Sequence, residues 1–268
     1  MLLAIDVGNT NIVIGCLDGE EIRFTERLST DTGKTSLEYA ILFRTALDVH
    51  RIDPGSIDGA VIASVVPLIT PVIQTALHKI TGIRAMVLGP GVRTGLNIRI
   101  DDPSTAGADL IAGAVGALAQ YDPPLVVVDM GTATTLSVIG PDGSFQGGII
   151  LPGLRLGLNA LVNGTSMLQS ITLRVPEKVI GKNTPDAMCS GIVLGHAEMI
   201  DGLLDRVEKE LGQKVTVVGT GGLMGVVQPA MRHEVHRDKG LLLTGLRVIY
   251  ERSRAHRGPE KGQKGEEE

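Results

Sequence analysis

The sequence predicts a duplicated α/β protein with a ligand cleft between its two halves. Three observations carry this. The stretch LLAIDVGNTNIVIG opens at Leu2, and LVVVDMGTATTLSVIG repeats its pattern from Leu125. Each copy is an apolar run, an Asp-x-Gly turn, small hydroxyl or amide residues and a second apolar run, which is the pattern of a β-hairpin around an acidic turn. Each copy is then followed, in the same order, by a third strand, helical periodicity and another short strand. Finally, 268 residues suffice for two such halves, each with its own core.

In the first half, residues 2–5 and 12–17 read as strands flanking the turn at 6–11. Asp18-Gly19 makes the next hairpin turn into a strand at 22–28. Apolar residues at Leu37, Ala40, Ile41, Leu42, Ala46 and Leu47 predict a helix over 36–50. A β-branched strand over 59–66 is closed by Pro67, a helix follows over 69–80, and a strand over 85–88 ends at Gly89-Pro90-Gly91. In the second half, strands at 125–128 and 135–139 flank the Asp129 turn, and Pro141-Asp142-Gly143 turns the chain into a strand at 145–151. A long helix is expected over 191–211, a strand over 215–218 and a last helix over 241–251. The halves are placed at 1–118 and 119–252. The polar, charged tail at 253–268 is expected to be disordered.

Composition narrows the function. Apolar residues make up 43% of the chain, so it is globular. A net charge of −5 argues against a nucleic-acid binder, which needs a basic surface. There is no Trp, and Phe and Tyr number three each, so base-stacking or sugar-stacking platforms are not expected. Cys16 and Cys189 are far apart and have no metal-ligand spacing, so both read as small buried hydrophobes in a reducing compartment. The N-terminus starts directly with a strand and no apolar run reaches membrane-spanning length, so a cytoplasmic protein without membrane partners is expected.

The two turns carry the chemistry. In Asp6-Val7-Gly8-Asn9-Thr10-Asn11, Gly8 lets backbone approach a ligand and successive N–H groups can form an anion nest. Asp6 offers a charge that could hold a cation. Asp129-Met130-Gly131-Thr132-Ala133-Thr134-Thr135 offers the same set from the other half. A hairpin with an Asx-turn would explain one copy; two copies in matching positions suggest a grip on nucleotide phosphates from both sides. The strand VTVVGTGG, ending in Gly219-Thr220-Gly221-Gly222, would suit a flat backbone surface for adenine.

A third piece is DPSTAGADLIAGAVGALA at 102–119, where Asp102 and Pro103 read as N-cap and first residue of a helix. From 106 to 119 only Asp109 is not Ala, Gly, Leu, Ile or Val, so the helix is buried and its lone carboxylate needs a partner or a cleft. It reads either as a structural aspartate or as a general base for a hydroxyl. Gly147–Gly153 suits either a bend or a ligand contact. His78 and His196 read as packed or solvated, and His233 and His236 as parts of a polar loop without a supporting constellation.

Together DVGNTN at 6–11, GAD at 107–109, DMGTATT at 129–135, GGIILPG at 147–153, GKNT at 181–184 and GTGG at 219–222 resemble the type III pantothenate kinases of the acetate-and-sugar-kinase, heat-shock chaperone and actin superfamily. The resemblance spans residues 2–250. It implies duplicated actin-like (ribonuclease H-like) domains, each a mixed sheet flanked by helices. It also implies ATP-dependent phosphorylation of pantothenate to 4'-phosphopantothenate, the first step of coenzyme A synthesis. By position it makes Asp6, Val7, Gly8, Asn9, Thr10, Asn11, Ile12 and Val13 the ATP phosphate loop, with Thr132 and Gly221 as further ATP contacts. It makes Asp129 the ligand of a monovalent cation, potassium or ammonium, beside magnesium, and Asp109 the proton acceptor. Gly107, Ala108, Asp109 and Thr184, with positions 100 and 110, line the expected pantothenate pocket, and a homodimer is implied.

Two positions depart from the family pattern: Leu110 stands where an Arg is usual, and Ile100 where a Tyr is usual. Losing the Arg removes a cation that could pair with the substrate carboxylate or the transferred phosphate. Two alternatives therefore stand beside the leading reading: a kinase for a related small alcohol, and a non-catalytic nucleotide-binding accessory regulator.

Overall fold

The apolar runs around the two acidic turns form the centres of two sheets, described in a computed structural model over residues 1–257. The first sheet contains β1 (Leu2–Val7), β2 (Asn11–Asp18), β3 (Glu21–Ser29), β4 (Gly59–Ser64) and β5 (Met86–Val87), in the order β3-β2-β1-β4-β5. The second contains β6 (Leu125–Met130), β7 (Ala133–Ile139), β8 (Phe145–Pro152), β9 (Thr216–Thr220) and β10 (Val235–Arg237), in the order β10-β9-β6-β7-β8. Read outward from the central strand, the two orders are the same. Short turns make β1–β2–β3 and β6–β7–β8 antiparallel, whereas β4 and β9 pair parallel to the central strands after helical crossovers.

The helices of the first half, α1 (Ser36–Val49) and α2 (Thr70–Thr81), cover one face of its sheet. Thr35 and Glu38 form a capping box that starts α1, and Gly82 ends α2 in the left-handed conformation. α3 (Ala108–Leu118) links the halves. The second half adds α4 (Leu154–Gly164), α5 (Thr184–Cys189), α6 (Gly195–Leu211), the short α7 (Met224–Val227) and α8 (Leu241–Arg257).

α3 and α8 lie between the two sheets. Ile111, Val115, Leu243, Leu246 and Ile249 pack with Leu2, Ala4 and Val61 of the first sheet. Ala114, Ala117 and Leu241 pack with Leu125, Val127 and Val218 of the second. The helices cross in contact because Gly116 and Gly245 face each other's backbone: a Cβ on Gly245 would overlap the Ala112 carbonyl oxygen, and one on Gly116 would overlap that of Leu241.

The structure corrects the sequence reading in four places. The helix expected from Asp102 is interrupted. Asp102 caps only a 3-10 turn, Pro103–Thr105, by accepting from the Ser104 N–H at 2.9 Å; Ala106 and Gly107 are then extended, and α3 starts at Ala108. The long helix starts at Thr184 rather than 191, because Asn183 caps it and a π-helical turn at Ser190–Leu194 joins α5 to α6. That continuous helix, Thr184–Leu211, has an 18-residue window of mean hydropathy 1.2, long and apolar enough to cross a membrane by length and composition, where no such run was expected. Its Val193, Ala197, Ile200, Leu204 and Val207 are core residues of the second half. Lastly, residues 253–257 of the expected tail are helical, because α8 continues past Glu251 and Ser253 is buried; residues 258–268 lie outside the described residues. α4, α7 and β10 are elements with no counterpart in the sequence reading.

Candidate active site

Both acidic turns open into one cavity of about 440 Å³. Gly8, Asn9, Thr10, Asn11, Val13, Asp109, Asp129, Thr132 and Gly221 all line it, although they come from β1–β2, α3, β6–β7 and the segment after β9. A larger cavity, about 560 Å³, lies at the opposite end of the first sheet, against α8, and contains none of these residues. The chemistry is therefore placed in the smaller one.

The first turn is pinned from three sides. The Gly8 N–H donates to the Asn11 carbonyl at 3.0 Å, the Thr30 hydroxyl donates to the Gly8 carbonyl at 2.6 Å, and the Thr30 N–H donates to the Thr10 carbonyl at 3.0 Å. A Cβ on Gly8 would stand 3.1 Å from the Asn11 carbonyl oxygen, so the turn is closed too tightly for a side chain there. The second turn rests on Gly153, whose absent side chain lets the start of α4 pack under the Gly131 and Thr132 carbonyls. Residues 147–152 thus belong to strand β8, and Gly153 alone is the close-packed step into α4. The two turns meet directly: Thr10 Oγ1 and Thr132 Oγ1 are hydrogen-bonded at 2.7 Å.

Three carboxylates converge below them. Burial, then the nearby charges of Asp109 and Asp129, raises Asp6 to about 7, with Arg27 opposing. Burial, then Asp109, raises Asp129 to about 6, again with Arg27 opposing. Among the described residues neither carboxylate accepts a hydrogen bond from the protein. Asp109 is the second residue of α3, not a mid-helix residue as the sequence suggested, and its Oδ1 accepts from the Leu110 N–H at 2.8 Å. Gly107 leaves room for that carboxylate, since a Cβ would collide with Oδ1. Gly221 has φ +88°, and a Cβ there would stand 2.6 Å from Asp129 Oδ1, so only glycine lets this segment close on the acid.

Other expected residues lie elsewhere. The side chains of Val7 and Ile12 point into the first core, leaving only their backbone for the loop. Ile100 and Leu110 pack against the second sheet's Phe145–Ile139 cluster, and Ala108 packs against the first. Thr184 sits in a separate groove with Leu161, Leu168 and Asn183. His196 is buried and hydrogen-bonded to Thr134 at 2.9 Å. His233 does have a constellation, contrary to the sequence reading: Nδ1 lies 2.6 Å from buried Asp201, and Nε2 lies 3.6 Å from Asp205 and 3.8 Å from Glu208. α6 brings those acids to the start of β10 and ties the loop down, a register that no local motif announces.

Arg27, Arg155 and Asn159 also line the cavity and escaped the sequence reading. Arg27 carries a signal only in register: Asp6 pairs with Val13 and Val13 with Arg27, so all three face the same side of the sheet. Arg155 and Asn159 lie on α4.

A profile of the type III pantothenate kinases matches residues 2–206. A type III pantothenate kinase from an Exiguobacterium species is 41% identical over 253 residues, covering 94% of this chain and 99% of that protein. One from Moorella thermoacetica is also 41% identical over 253 residues, covering 94% of this chain and all of its own length. Among solved structures, the activator of 2-hydroxyisocaproyl-CoA dehydratase from Clostridium difficile, with ADPNP bound, superposes with a TM-score of 0.53 at 13% identity, covering 98% of this chain and 99% of that one. This likeness speaks for the fold, and the expected duplicated actin-like architecture is the one observed. The order of the turns, the acids they present and the near full-length match agree: the chain belongs to the type III pantothenate kinase family.

Proposed function

We propose that the protein transfers the terminal phosphoryl group of ATP to the primary hydroxyl of pantothenate, giving ADP and 4'-phosphopantothenate for coenzyme A synthesis. The observation that carries this is that two phosphate-type turns meet over one cavity lined by Asp109 and Asp129, with Asp6 desolvated beside them, in a chain from this family.

Asp109 takes the proton from the hydroxyl as its oxygen attacks the γ-phosphorus. It is suited to this because the α3 N-terminus and the Leu110 N–H fix its carboxylate at the cavity edge. Backbone N–H groups of Gly8–Asn11 and the Thr132 turn hold the phosphates, so catalysis rests on positioning and preorganised charge. The Thr10–Thr132 contact joins the two turns across the mouth of the cleft. Asp6 and Asp129 fit a hard cation, being desolvated oxygens without protein donors. Magnesium and a potassium or ammonium ion, when bound, supply positive charge to the triphosphate.

The reading includes a homodimer. Ile150, Leu156, Leu161, Met167, Val179 and Ile180 are all exposed in the second half, and Leu161 shares a groove with Thr184. A second copy would cover such apolar side chains. Two buried free cysteines fit a cytoplasmic location.

The deciding experiment couples ADP release to a panel of small alcohols. Turnover on pantothenate above the rest is the expected result. Turnover on another alcohol would transfer the reading to that substrate, as Ile100 and Leu110 would suit. Nucleotide binding without transfer to any alcohol would leave a regulator.

A further inference from the structure

The geometry points to Arg27 as the cation that grips the terminal phosphoryl group of ATP during transfer. This deepens the kinase reading and rests on it. No motif marks the residue, because it stands on an edge strand within the polar alternation Glu26-Arg27-Leu28-Ser29.

Register brings it to the site. Arg27 lies opposite Val13, which lies opposite Asp6, so the three side chains share the cleft-facing side of the first sheet. Two strand spacings separate Arg27 from Asp6, about 10 Å between backbones, a gap that an extended arginine largely spans. The guanidinium crosses to the other half of the molecule: a Cβ on Gly222 would stand 3.1 Å from Arg27 Nη1. Among the described residues the guanidinium has no carboxylate within ion-pair distance and no hydrogen-bond acceptor. Its five donors remain available in an open cavity.

Charge balance sets what it takes. Asp109 and Asp129 line the cavity and desolvated Asp6 lies within range of both charges, and a nucleoside triphosphate would add several more negative charges. Only two basic side chains line the cavity among the described residues, Arg27 and Arg155. Arg27 is the one whose field reaches the acids, since it opposes the upward shift of both Asp6 and Asp129 while Arg155 acts on neither. It therefore stands at the acidic end, where Asp109 meets the reacting hydroxyl. Position 110, where the family pattern has an arginine, is a leucine packed on the second sheet, so it brings no charge there. A planar guanidinium also matches two phosphoryl oxygens at once, and it can hold the transferring group in line as the bond to ADP breaks and its electron pair passes to the leaving oxygen.

The test compares Arg27→Gln and Arg27→Lys with the wild type in three measurements: kcat with pantothenate, affinity for a nonhydrolysable ATP analogue, and affinity for ADP. Arg27→Gln is expected to lower kcat roughly 10²–10³-fold, the loss typical of one preorganised donor to developing charge. It should weaken the ATP analogue about tenfold or more and leave ADP within about twofold, because only the triphosphate has the group that Arg27 holds. Arg27→Lys keeps the charge but loses the fork, and should fall between the two. The side chain is exposed, so Arg27→Lys should leave thermal unfolding unchanged and Arg27→Gln should lower it only slightly, through the lost charge beside Asp6 and Asp129. Unchanged kcat, or equal losses for ADP and the analogue, would overturn the assignment. If the wild type binds the analogue but does not phosphorylate pantothenate, the substrate reading falls. A selective analogue loss in Arg27→Gln would then still support Arg27 as the terminal-phosphate residue.

Discussion

Asp6 and Asp129 each stand as the fifth residue of a central strand, in sheets of the same order, and each is followed by a one-residue step to a turn glycine. The rows they belong to differ. Outward from Asp6 come Val13 and Arg27; outward from Asp129 come Thr135 and Ile150. The first row ends in a guanidinium over the cleft and the second in an exposed isoleucine. Duplication thus preserved the strands that hold the acids, while the edge positions diverged, one toward charge and one toward an apolar surface. The third acid, Asp109, comes from neither turn but from the helix that joins the halves.

The comparison breaks most sharply at Asp109, which has no counterpart in either turn. Asp109→Asn is expected to lower kcat roughly 10²–10⁴-fold while nucleotide affinity stays within a few-fold. Single-turnover kinetics and analogue titration check this, and unchanged turnover would remove the base role.

The two turn acids should separate by pH. Asp6 is raised to about 7 and Asp129 to about 6, so between the unfolded carboxylate value and those values the folded protein binds more protons than the unfolded chain. Stability of the nucleotide-free, cation-free protein therefore falls as pH rises through that window and levels off above about 7. Asp6→Asn and Asp129→Asn should each flatten the curve and raise the melting temperature at pH 8, Asp6→Asn more. Calorimetry from pH 5 to 8 measures it, and parallel curves for wild type and Asp6→Asn would refute the raised value of Asp6.

The turn glycines sharpen the contrast. A Cβ at Gly8 meets a backbone oxygen at 3.1 Å, but at Gly131 nothing is nearer than 3.6 Å. Gly8→Ala should therefore destabilise the protein by about 1–3 kcal/mol through overpacking, and Gly131→Ala by less than about 0.5 kcal/mol. Denaturant titration of both variants tests the asymmetry; equal losses would refute it.

The smallest effect concerns the contact that joins the turns. Thr10→Val, Thr132→Val and the double variant should give a coupling of roughly 0.5–1 kcal/mol, as for one exposed hydroxyl pair. A coupling near zero would mean that the turns bind nucleotide without closing on each other.

Much of this was legible in the sequence where local chemistry decides. The Asp-x-Gly turns between apolar runs marked both hairpins, and the recurrence of that pattern at Leu2 and Leu125 marked the duplication. Asp109 stood out because nothing else polar interrupts its helix. What depends on register was not legible. Arg27 faces the cleft because of strand pairing, which shifts by a bulge between Cys16 and Leu17 that no motif announces. α4 was missed because Gly157 and Gly164 interrupt LRLGLNALVNG, and Arg155 and Asn159 were missed with it. Residues 253–257 read as tail because their charges hide the continuing helix, which the Arg247–Glu251 pair supports one turn earlier.

The packing of α8 against both sheets also has a consequence for biosynthesis. A ribosome makes the first sheet early, but the helix that covers its inner face is encoded last. Leu2, Ala4 and Val61 meet only Ile111 and Val115 of α3 until Leu243, Leu246 and Ile249 leave the exit tunnel and complete the cover. Folding of the amino-terminal half is therefore completed only after synthesis of the carboxyl-terminal half. A chain truncated before residue 241 should engage chaperones or aggregate through that open face.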